Sequence, residues 1–355
     1  MSHDLRHDLH HDLQYDLQYG FDAARLEAFL REALPEVRGS MRLAPVGGGG
    51  QSNPTFFVSF DNRRLVLRKK PGGAVLPSAH AVDREHRVMT ALRASGVPVA
   101  PTVLFHAAPD VVGTPFYLME RLDGRIFPDH ALPELRCEER APIYRAMAET
   151  LAVLHAVDPG AVGLADYGRA GSFFERQIAR WSRQWALSQT RAMPALDALL
   201  DWLPKHVPPQ RRTTLVHGDF KLGNLMFHTS EPRVIAVLDW ELSTLGDPLS
   251  DVAFNGVAWR TLRCEYGGLR DLDLPALGIP SEAEQLASYR AAGGSADGLA
   301  PFHFAFSFMR WAVIFAGIAA RAQQGNAVAD NAAEVGALAE AMARRGLEAM
   351  EVAPP

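Results

Sequence analysis

The sequence predicts an α+β fold with two lobes, a small N-terminal lobe built on an antiparallel sheet and a larger, mostly helical C-terminal lobe. Short apolar runs separated by turn residues fill the chain up to residue 122, whereas long helical patterns follow. A length of 355 residues also exceeds the usual size of one domain. Strand-rich and helix-rich halves of one chain are typical of α+β architectures. We therefore expect lobes at residues 21–122 and 123–345, with tails at 1–20 and 346–355.

The N-terminal lobe is expected to open with a helix and to continue with a sheet. Apolar residues recur at helical spacing from Phe21 to Leu34, and Pro35 marks the end of this helix. Three apolar runs separated by turn residues then predict a three-stranded antiparallel meander. A second helix, with Gly96 as its stop signal, precedes two more strands. The ranges are 41–46, 54–60 and 65–67 for the meander, 79–95 for the helix, and 102–107 and 116–122 for the last strands.

From residue 123 onward the pattern changes to long helices, such as the one predicted at 143–157. A later apolar run, residues 302–320, is nearly long enough to cross a bilayer. Arg310 lies in its middle, where a charge in lipid is costly. We therefore expect this run to be a buried helix, and we expect no membrane partner.

Composition narrows the class of protein further. Hydrophobic residues make up 48% and charged residues 22%, which are ordinary values for a globular protein. The net charge of -5 provides no general attraction to nucleic acid. Cys137 and Cys264 are too few for a disulfide framework or a four-cysteine zinc site. Because residues 1–20 also lack the apolar core of a secretory signal, we expect a cytoplasmic protein that does not bind nucleic acid.

Residues 3–19 form a repeat with a period of four, which begins with His3-Asp4-Leu5. Its histidines could bind a metal in principle, but expansion of a polar repeat explains them without any selected chemistry. We therefore expect a low-complexity tail outside the fold.

The most informative stretch is a polar loop between apolar strands, Leu215-Val216-His217-Gly218-Asp219-Phe220-Lys221-Leu222-Gly223-Asn224, and Asp239 ends a later strand. Phosphoryl transfer from ATP needs a carboxylate that accepts the proton of the attacking hydroxyl, and oxygen ligands for Mg²⁺. Asp219 and Asn224 share one short loop, and Asp239 ends a strand from which it can reach the same metal. These three residues supply the required groups.

The pattern His-Gly-Asp-x-x-x-x-Asn, followed by a strand that ends in Asp, resembles the aminoglycoside phosphotransferase and choline kinase superfamily, whose fold is protein-kinase-like. The resemblance covers about residues 21–345. It implies that Asp219 is the catalytic base, that Asn224 and Asp239 are Mg²⁺ ligands, and that Lys221 contacts a phosphate. A solvated loop lysine would explain Lys221 equally well. His217 is expected to support the loop by hydrogen bonds, and Asp251 to hold it from below.

The glycine-rich run 47–53 is the first candidate contact with the nucleotide. Glycines between two strands let backbone amides approach phosphates closely, so Gly49, Gly50, Ser52 and Asn53 are candidate cofactor-binding residues. The run does not match Gly-x-Gly-x-x-Gly, and the chain contains no P-loop. A flexible hairpin remains the alternative.

The third strand and the following helix supply the second nucleotide contact. Kinases hold the α- and β-phosphates with a strand-borne cation that pairs with a helix-borne acid. Arg68 continues the alternation of the strand best, Lys69 stays open, and Glu85 is the expected acid, unless it is a surface carboxylate. At the end of the last strand we expect the backbone carbonyl of Glu120 and the backbone amide of Leu122 to bind adenine.

The acceptor is expected to be a small molecule. The chain lacks Asp-Phe-Gly and Ala-Pro-Glu, and only eleven residues separate Asp239 from Asp251, too few for an activation segment. The segments at 67–71, 76–80 and 237–244 resemble the kinase domains related to acyl-CoA dehydrogenase family members ten and eleven. That resemblance implies a 4-hydroxyacyl-CoA as substrate. Candidate contacts with the CoA phosphates are Arg260, Arg263, Arg310 and Arg321, although solvated helix faces explain them as well.

Two other functions remain open at this point. One is an aminoglycoside, sugar or amino-alcohol kinase of the same fold, which would need an acidic acceptor pocket for a cationic antibiotic. The residues after Asp251 are not obviously acidic. The other is a nucleotide-binding pseudokinase without activity, which the presence of Asp219, Asn224 and Asp239 disfavours.

Overall fold

The computed structural model describes residues 20–47, 53–72, 81–169, 171–323, 332–352 and 354–355. The four-residue repeat, Gly49, Gly50, Ser52 and the segment 76–80 lie outside these ranges. The described chain divides into two compact units. Residues up to Arg93 form the first unit together with Val99–Asp123, and Ala94–Pro98 joins the residues from Gly124 onward in the second. The assignment of Ala94–Pro98 to the second unit is a detail that the sequence did not indicate.

The first unit is a five-stranded antiparallel sheet with two helices. The strand order is β1-β2-β3-β5-β4, so the predicted meander is confirmed as its first half. The elements are α1 at Ala23–Ala33, β1 at Arg42–Pro45, β2 at Thr55–Ser59, β3 at Arg64–Lys69, α2 at Val82–Leu92, β4 at Thr102–His106 and β5 at Phe116–Glu120.

Helix α1 shows how local sequence sets these elements. Asp22 caps its N-terminus, because the carboxylate accepts hydrogen bonds from the backbone N–H groups of Ala24 at 2.8 Å and Arg25 at 3.1 Å. Leu26 and Leu30, four residues apart on one face, are completely buried in the core of the first unit. The helical spacing therefore identified both the helix and its buried face.

The second unit is mostly helical, with two short sheets ordered β6-β8-β9 and β7-β10. The predicted α+β class is thereby confirmed. Three 3₁₀ turns lie at Leu203–Lys205, Leu222–Asn224 and Trp240–Leu242. The remaining elements are β6 at Arg125–Ile126, α3 at Cys137–Ala156, α4 at Phe173–Ser188, α5 at Pro194–Trp202, β7 at Thr214–Val216, β8 at Leu225–Phe227, β9 at Val234–Val237, β10 at Thr244–Gly246, α6 at Leu249–Arg260, α7 at Leu274–Leu277, α8 at Glu282–Ala291, α9 at Pro301–Gln323 and α10 at Ala332–Glu351.

Helix α9 is the central helix of this unit. Its segment Pro301–Arg321 is long and apolar enough to cross a membrane, but 83% of its most apolar window is buried inside the protein. Phe304, Phe306 and Phe308 are each almost fully buried in one cluster with residues of α4, α5, α6 and α10. The expectation of a buried helix is therefore confirmed, and the aromatic content of α9 is explained by core packing.

Candidate active site

The loop that follows β7 brings three predicted residues together. Asp219 Oδ2 accepts hydrogen bonds from Asn224 Nδ2 at 2.7 Å and lies 3.1 Å from Lys221 Nζ. Asn224 Nδ2 also donates to the backbone carbonyl of Asp219 at 2.8 Å. A carboxylate, an amide and an ammonium group therefore meet at one point of the chain, as the spacing of the motif predicted.

Asp251, in the first turn of α6, anchors the backbone of this loop. It is completely buried, and its two oxygens accept from the N–H of Gly218 at 2.8 Å and of His217 at 2.6 Å. Burial acts to raise the pKa of Asp251, but His155 and His217 together hold the pKa below its usual range. The carboxylate therefore stays ionised, and the expectation that it supports the loop from below is confirmed.

His217 fixes the peptide group that leads into Asp219. Its Nε2–H donates to the carbonyl of Leu238 at 2.9 Å, and its Nδ1 accepts from the N–H of Asp219 at 3.2 Å. One tautomer, with its hydrogen on Nε2, satisfies both partners. The predicted supporting role of His217 is thus confirmed, and the bond to Leu238 ties the loop to the end of β9.

Arg310 holds the same loop from α9. Its Nη2 donates to the carbonyl of Gly218 at 2.5 Å, and only 4% of the residue is exposed. Burial lowers the pKa of Arg310 to about 10, so the guanidinium remains charged at neutral pH. The expectation that Arg310 contacts CoA phosphates is therefore wrong, because the side chain is enclosed beneath the catalytic loop.

Gly218 is required at this point of the loop. Its φ is +82°, and a Cβ there would lie 2.8 Å from the carbonyl oxygen of Leu242. Its N–H and carbonyl are both bound, by Asp251 and Arg310. The peptide groups on both sides of Gly218 are thereby fixed, and the second of them leads directly into Asp219.

Asp239 adopts a left-handed backbone conformation, with φ +62°. Aspartate tolerates this region better than most residues with a Cβ, although at some cost in strain. The preceding residue, Leu238, donates its N–H to the carbonyl of Asn224 at 2.8 Å, so Asp239 follows directly beside Asn224. Such strain is typical of functional positions.

The donor set fits Mg²⁺. The Nδ2 group of Asn224 is used by Asp219, which leaves Oδ1 for a cation, and Asp239 adds carboxylate oxygens. In the described part of the chain no three His, Cys, Asp or Glu side chains cluster as a metal site. Mg²⁺ does not need such a cage, because proteins hold it through one or two side chains together with phosphate and water.

Lys221 is not a solvated loop lysine. Its side chain is 26% exposed and pairs with Asp219. Burial lowers the pKa of Lys221, but Asp219, Tyr266 and Asp239 outweigh burial and raise it above its usual value. The ammonium therefore stays charged beside the carboxylate of Asp219, and its contact with a phosphate stays a prediction.

In the first unit, Arg68 pairs with Glu85 as the alternation of β3 indicated. Arg68 Nε lies 2.9 Å from Glu85 Oε2, and Glu85 is only 1% exposed. The other candidate cation, Lys69, points to the opposite face of the sheet, where its Nζ donates to the carbonyl of Val112 at 2.6 Å and lies 4.8 Å from the ring centre of Phe21. Lys69 is therefore excluded as the partner of Glu85.

Two residues that support Glu85 were not recognised from the sequence. Tyr117 donates its hydroxyl to Oε2 at 3.1 Å, and Asn53 Nδ2 donates to Oε1 at 2.5 Å. Asn53 is 4% exposed. The sequence assigned Asn53 to a phosphate-binding loop, but its side-chain amide is committed to Glu85 because both groups are buried together.

The end of β5 has the backbone arrangement expected for contacts with adenine. The N–H of Glu120 donates to the carbonyl of Pro101 at 2.8 Å, whereas the N–H of Arg121 donates to Arg64 at 3.0 Å. In an extended strand the N–H and C=O of one residue face the same side, so the Glu120 carbonyl faces away from β3. Leu122 lies two residues beyond the end of β5. Their contacts with adenine stay a prediction.

Two of the other arginines proposed for CoA phosphates, Arg260 and Arg263, have acidic partners. Arg260 lies 2.8 Å from Glu282, and Arg263 pairs with both carboxylate oxygens of Asp129. Burial lowers the pKa of Arg321. The guanidinium groups of Arg260 and Arg263 therefore each already neutralise a carboxylate of the same unit, and their contact with CoA phosphates stays a prediction.

A recess beside Lys221 is lined by several residues that gave no functional signal in the sequence. Among them are His130, Glu265, Tyr266 and Trp311. Burial, assisted by Lys221, lowers the pKa of His130 to about 4, so this imidazole is neutral at pH 7. Aromatic residues at helical spacing usually belong to a core, which is why Trp311 gave no functional signal in the sequence.

A family model described as the phosphotransferase enzyme family matches residues 43–302. Mouse acyl-CoA dehydrogenase family member 10 is 46% identical over 303 residues, which cover 83% of this chain and 28% of that protein. Rat acyl-CoA dehydrogenase family member 11 is 39% identical over 337 residues, which cover 92% of this chain and 43% of that protein. The chain therefore spans less than half the length of these curated relatives. The predicted resemblance to both is confirmed.

Solved structures are similar over nearly the whole chain. A candidate aminoglycoside phosphotransferase from Ralstonia eutropha JMP134 is 41% identical with a TM-score of 0.83, over 94% of this chain and 100% of that one. The aminoglycoside phosphotransferase APH(4)-Ia, solved as a ternary complex with AMP-PNP and hygromycin B, is 19% identical with a TM-score of 0.58, over 91% of this chain and 99% of that one. The second likeness concerns the fold alone. The predicted protein-kinase-like fold is confirmed.

Proposed function

Because this chain belongs to the phosphotransferase enzyme family, we propose that it transfers the γ-phosphoryl group of ATP to a hydroxyl group of a small molecule. The observation that carries this proposal is the arrangement at Asp219. The carboxylate is held on a fixed backbone, and Asn224 and Lys221 contact the same oxygen, Oδ2. A rigidly held carboxylate of this kind can orient a hydroxyl for attack.

In the proposed reaction the acceptor hydroxyl donates to Oδ1 of Asp219, for which the described residues provide no hydrogen bond. The hydroxyl oxygen forms a bond to the γ-phosphorus while the bond from that phosphorus to the leaving oxygen of ADP breaks. The hydroxyl proton passes to Asp219. Asp251, His217 and Arg310 contribute by keeping the loop in place, so that the carboxylate needs no reorganisation.

Mg²⁺ would be held by Asn224 and Asp239, and when bound it would neutralise charge on the ATP phosphates. In the first unit, Arg68 would contact the α- and β-phosphates, since Glu85 fixes its guanidinium. Glu120 and Leu122 would bind adenine through their backbone.

Replacing Arg68 should weaken ATP binding far more than replacing its neighbour Lys69. Arg68→Met removes the cation that is proposed to bind the phosphates. We therefore expect the KM for ATP to rise about thirtyfold, which corresponds to the loss of one strong charge-assisted hydrogen bond. Lys69→Met is the matched control, because Lys69 points into the core. The KM of this variant for ATP should stay within about twofold of the wild-type value. Equal effects of the two substitutions on KM, at unchanged melting temperature, would exclude Arg68 as the phosphate contact.

We propose a hydroxyacyl-CoA thioester, specifically a 4-hydroxyacyl-CoA, as the acceptor. The support comes from the relatives, which are named as acyl-CoA dehydrogenases and of which this chain matches only a part. A kinase region joined to such a protein would act on the same class of thioester.

An aminoglycoside is the second candidate acceptor, because the similar Ralstonia eutropha structure is assigned to that class. The charges beside Lys221 argue against it. Glu265 lines the recess but pairs with Arg345 at 2.8 Å, and Asp129, next to His130, pairs with Arg263. A polycationic antibiotic requires carboxylates that are not already neutralised.

The acceptor is tested by initial rates of phosphate transfer from ATP to a 4-hydroxyacyl-CoA, the free 4-hydroxy acid, an aminoglycoside and choline. We expect kcat/KM for the thioester to exceed that for the free acid by at least about tenfold, because contacts with the CoA moiety fix the hydroxyl in attack geometry. Equal rates for thioester and free acid would refute CoA recognition. A strong aminoglycoside signal would favour the antibiotic kinase, and no transfer to any acceptor would favour a pseudokinase.

A further inference from the structure

Two aromatic residues form one wall of the recess beside Lys221. Trp311 comes from α9 and Tyr266 from the turn after α6, and both line the recess together with Lys221. Lys221 Nζ lies 5.7 Å from the centre of the Trp311 ring, and the Tyr266 ring packs against Trp311 with 4.7 Å between the ring centres. Since Lys221 also contacts Asp219, the wall lies next to the catalytic carboxylate.

The backbone holds Tyr266 in an unusual and exposed position. Its φ is +69°, a left-handed conformation that strains a residue with a bulky side chain. The residue is 42% exposed, although its ring packs edge-on against Trp311 at 4.7 Å and against Phe315 at 5.1 Å. Core packing does not require a strained, half-exposed aromatic ring. Strain of this kind is typical of ligand-binding positions.

The turn around Tyr266 is built to keep this conformation. A Cβ on Gly268 would lie 2.1 Å from the carbonyl oxygen of Thr261, so only glycine allows the chain to close the turn. Glu265 accepts from the N–H of Leu262 at 2.9 Å and from Arg345 at 2.8 Å. The ring of Tyr266 is therefore presented by a fixed turn and not by a loose loop.

Trp311 has a hydrogen-bond donor without a partner. Its indole Nε1–H is buried and finds no acceptor within the described parts of the chain. Buried donors are almost always paired, so this one is available to an oxygen of a bound ligand or water. Arg310, the preceding residue, is bonded to Gly218, and α9 thereby fixes Trp311 relative to the loop that carries Asp219.

We propose that Trp311 and Tyr266 form the acceptor-binding wall, which holds an apolar segment next to the reacting hydroxyl and donates a hydrogen bond from Trp311 Nε1 to an oxygen of the acceptor. This inference rests on the proposed transfer to a small-molecule hydroxyl and adds the chemical class of the group beside it. That group is an uncharged, apolar chain, because aromatic rings line the wall and the nearby carboxylates are neutralised.

Calorimetric measurement of thioester affinity in the absence of ATP tests the acceptor-binding wall without turnover. The probes are 4-hydroxybutanoyl-CoA, 4-hydroxyhexanoyl-CoA and 4-hydroxydecanoyl-CoA, which differ only in the apolar chain. For the wild-type protein we expect affinity to rise about threefold for each methylene that reaches the wall. Tyr266→Asn should remove most of this rise, and asparagine suits the left-handed backbone, so the turn is preserved.

Trp311→Phe should weaken binding of all three thioesters by about fivefold while the dependence on chain length remains, because it removes only the N–H donor. Leu187→Ala is the control. Leu187 is 76% exposed on α4, and its replacement should leave every affinity unchanged.

The outcomes separate this inference from the proposed function. Two results would refute the acceptor-binding wall. One is that the wild-type protein binds all three thioesters without a rise in affinity along the series. The other is that Tyr266→Asn and Trp311→Phe both keep wild-type affinities. Absence of binding to the wild-type protein would refute the wall as well. Binding with the expected chain-length dependence, but without phosphate transfer when ATP and Mg²⁺ are added, would support the wall and refute the proposed reaction.

Discussion

Asp219→Asn should abolish phosphoryl transfer while leaving ATP affinity within about threefold of the wild-type value. In the proposed reaction Asp219 accepts the proton of the acceptor hydroxyl, which an amide cannot do, so we expect kcat to fall about a thousandfold. Asparagine has the size of aspartate and can still bond to Asn224, which contacts Asp219 at 2.7 Å. The fold of the loop should therefore survive.

The measurement is kcat for the best acceptor, with calorimetric ATP affinity and melting temperature measured in parallel. Asp201→Asn serves as the matched control, since Asp201 is exposed at the end of α5 and should tolerate the same change. Retention of more than a tenth of wild-type kcat would rule out Asp219 as the base. A large loss of ATP affinity would instead indicate that Asp219 acts on the nucleotide or its metal.

The second large effect is expected at Asp239, where replacement should weaken Mg²⁺-ATP binding and spare metal-free ATP binding. Its carboxylate is proposed to bind the metal and not the nucleotide itself, so Asp239→Ala should cost about a hundredfold in affinity for Mg²⁺-ATP. Calorimetry with Mg²⁺ and with a chelator makes the comparison. Equal losses in the two titrations would show that Asp239 is not a metal ligand.

The backbone at Asp239 allows its chemical role to be separated from its structural one. Because φ is +62°, alanine is strained there and glycine is not. Asp239→Gly should therefore be more stable than Asp239→Ala by about 1 kcal/mol in the free energy of unfolding. Both variants should lose Mg²⁺-ATP affinity equally. Full recovery of affinity in the glycine variant would mean that the carboxylate serves only to hold the backbone.

Several features of the site could be predicted because they depend on local spacing. Asp219 and Asn224 lie five residues apart on one loop between strands, so their meeting required no knowledge of distant residues. The pairing of Arg68 with Glu85 followed from the alternation of side chains along β3 and from the acid on the next helix. Helical periodicity likewise identified α1 and the buried helix α9.

Other features involve residues far apart in the sequence. Asn53 looked like part of a phosphate-binding loop, and only the fold shows that it bonds to Glu85, 32 positions later. Arg310 looked like a charge available to a ligand, yet it holds Gly218, 92 positions earlier. Partners at such separations are set by the packing of whole elements, which no local pattern encodes.

By itself, then, the sequence determined the α+β fold and the loop on which Asp219 and Asn224 meet, because strand alternation, helical spacing and short loops act over a few residues. Only the tertiary structure decided the direction in which each buried polar group faces. It placed Lys69 in the core and joined Trp311 and Tyr266 in one wall, since a buried charge or donor takes whichever partner the packed elements bring within hydrogen-bond distance.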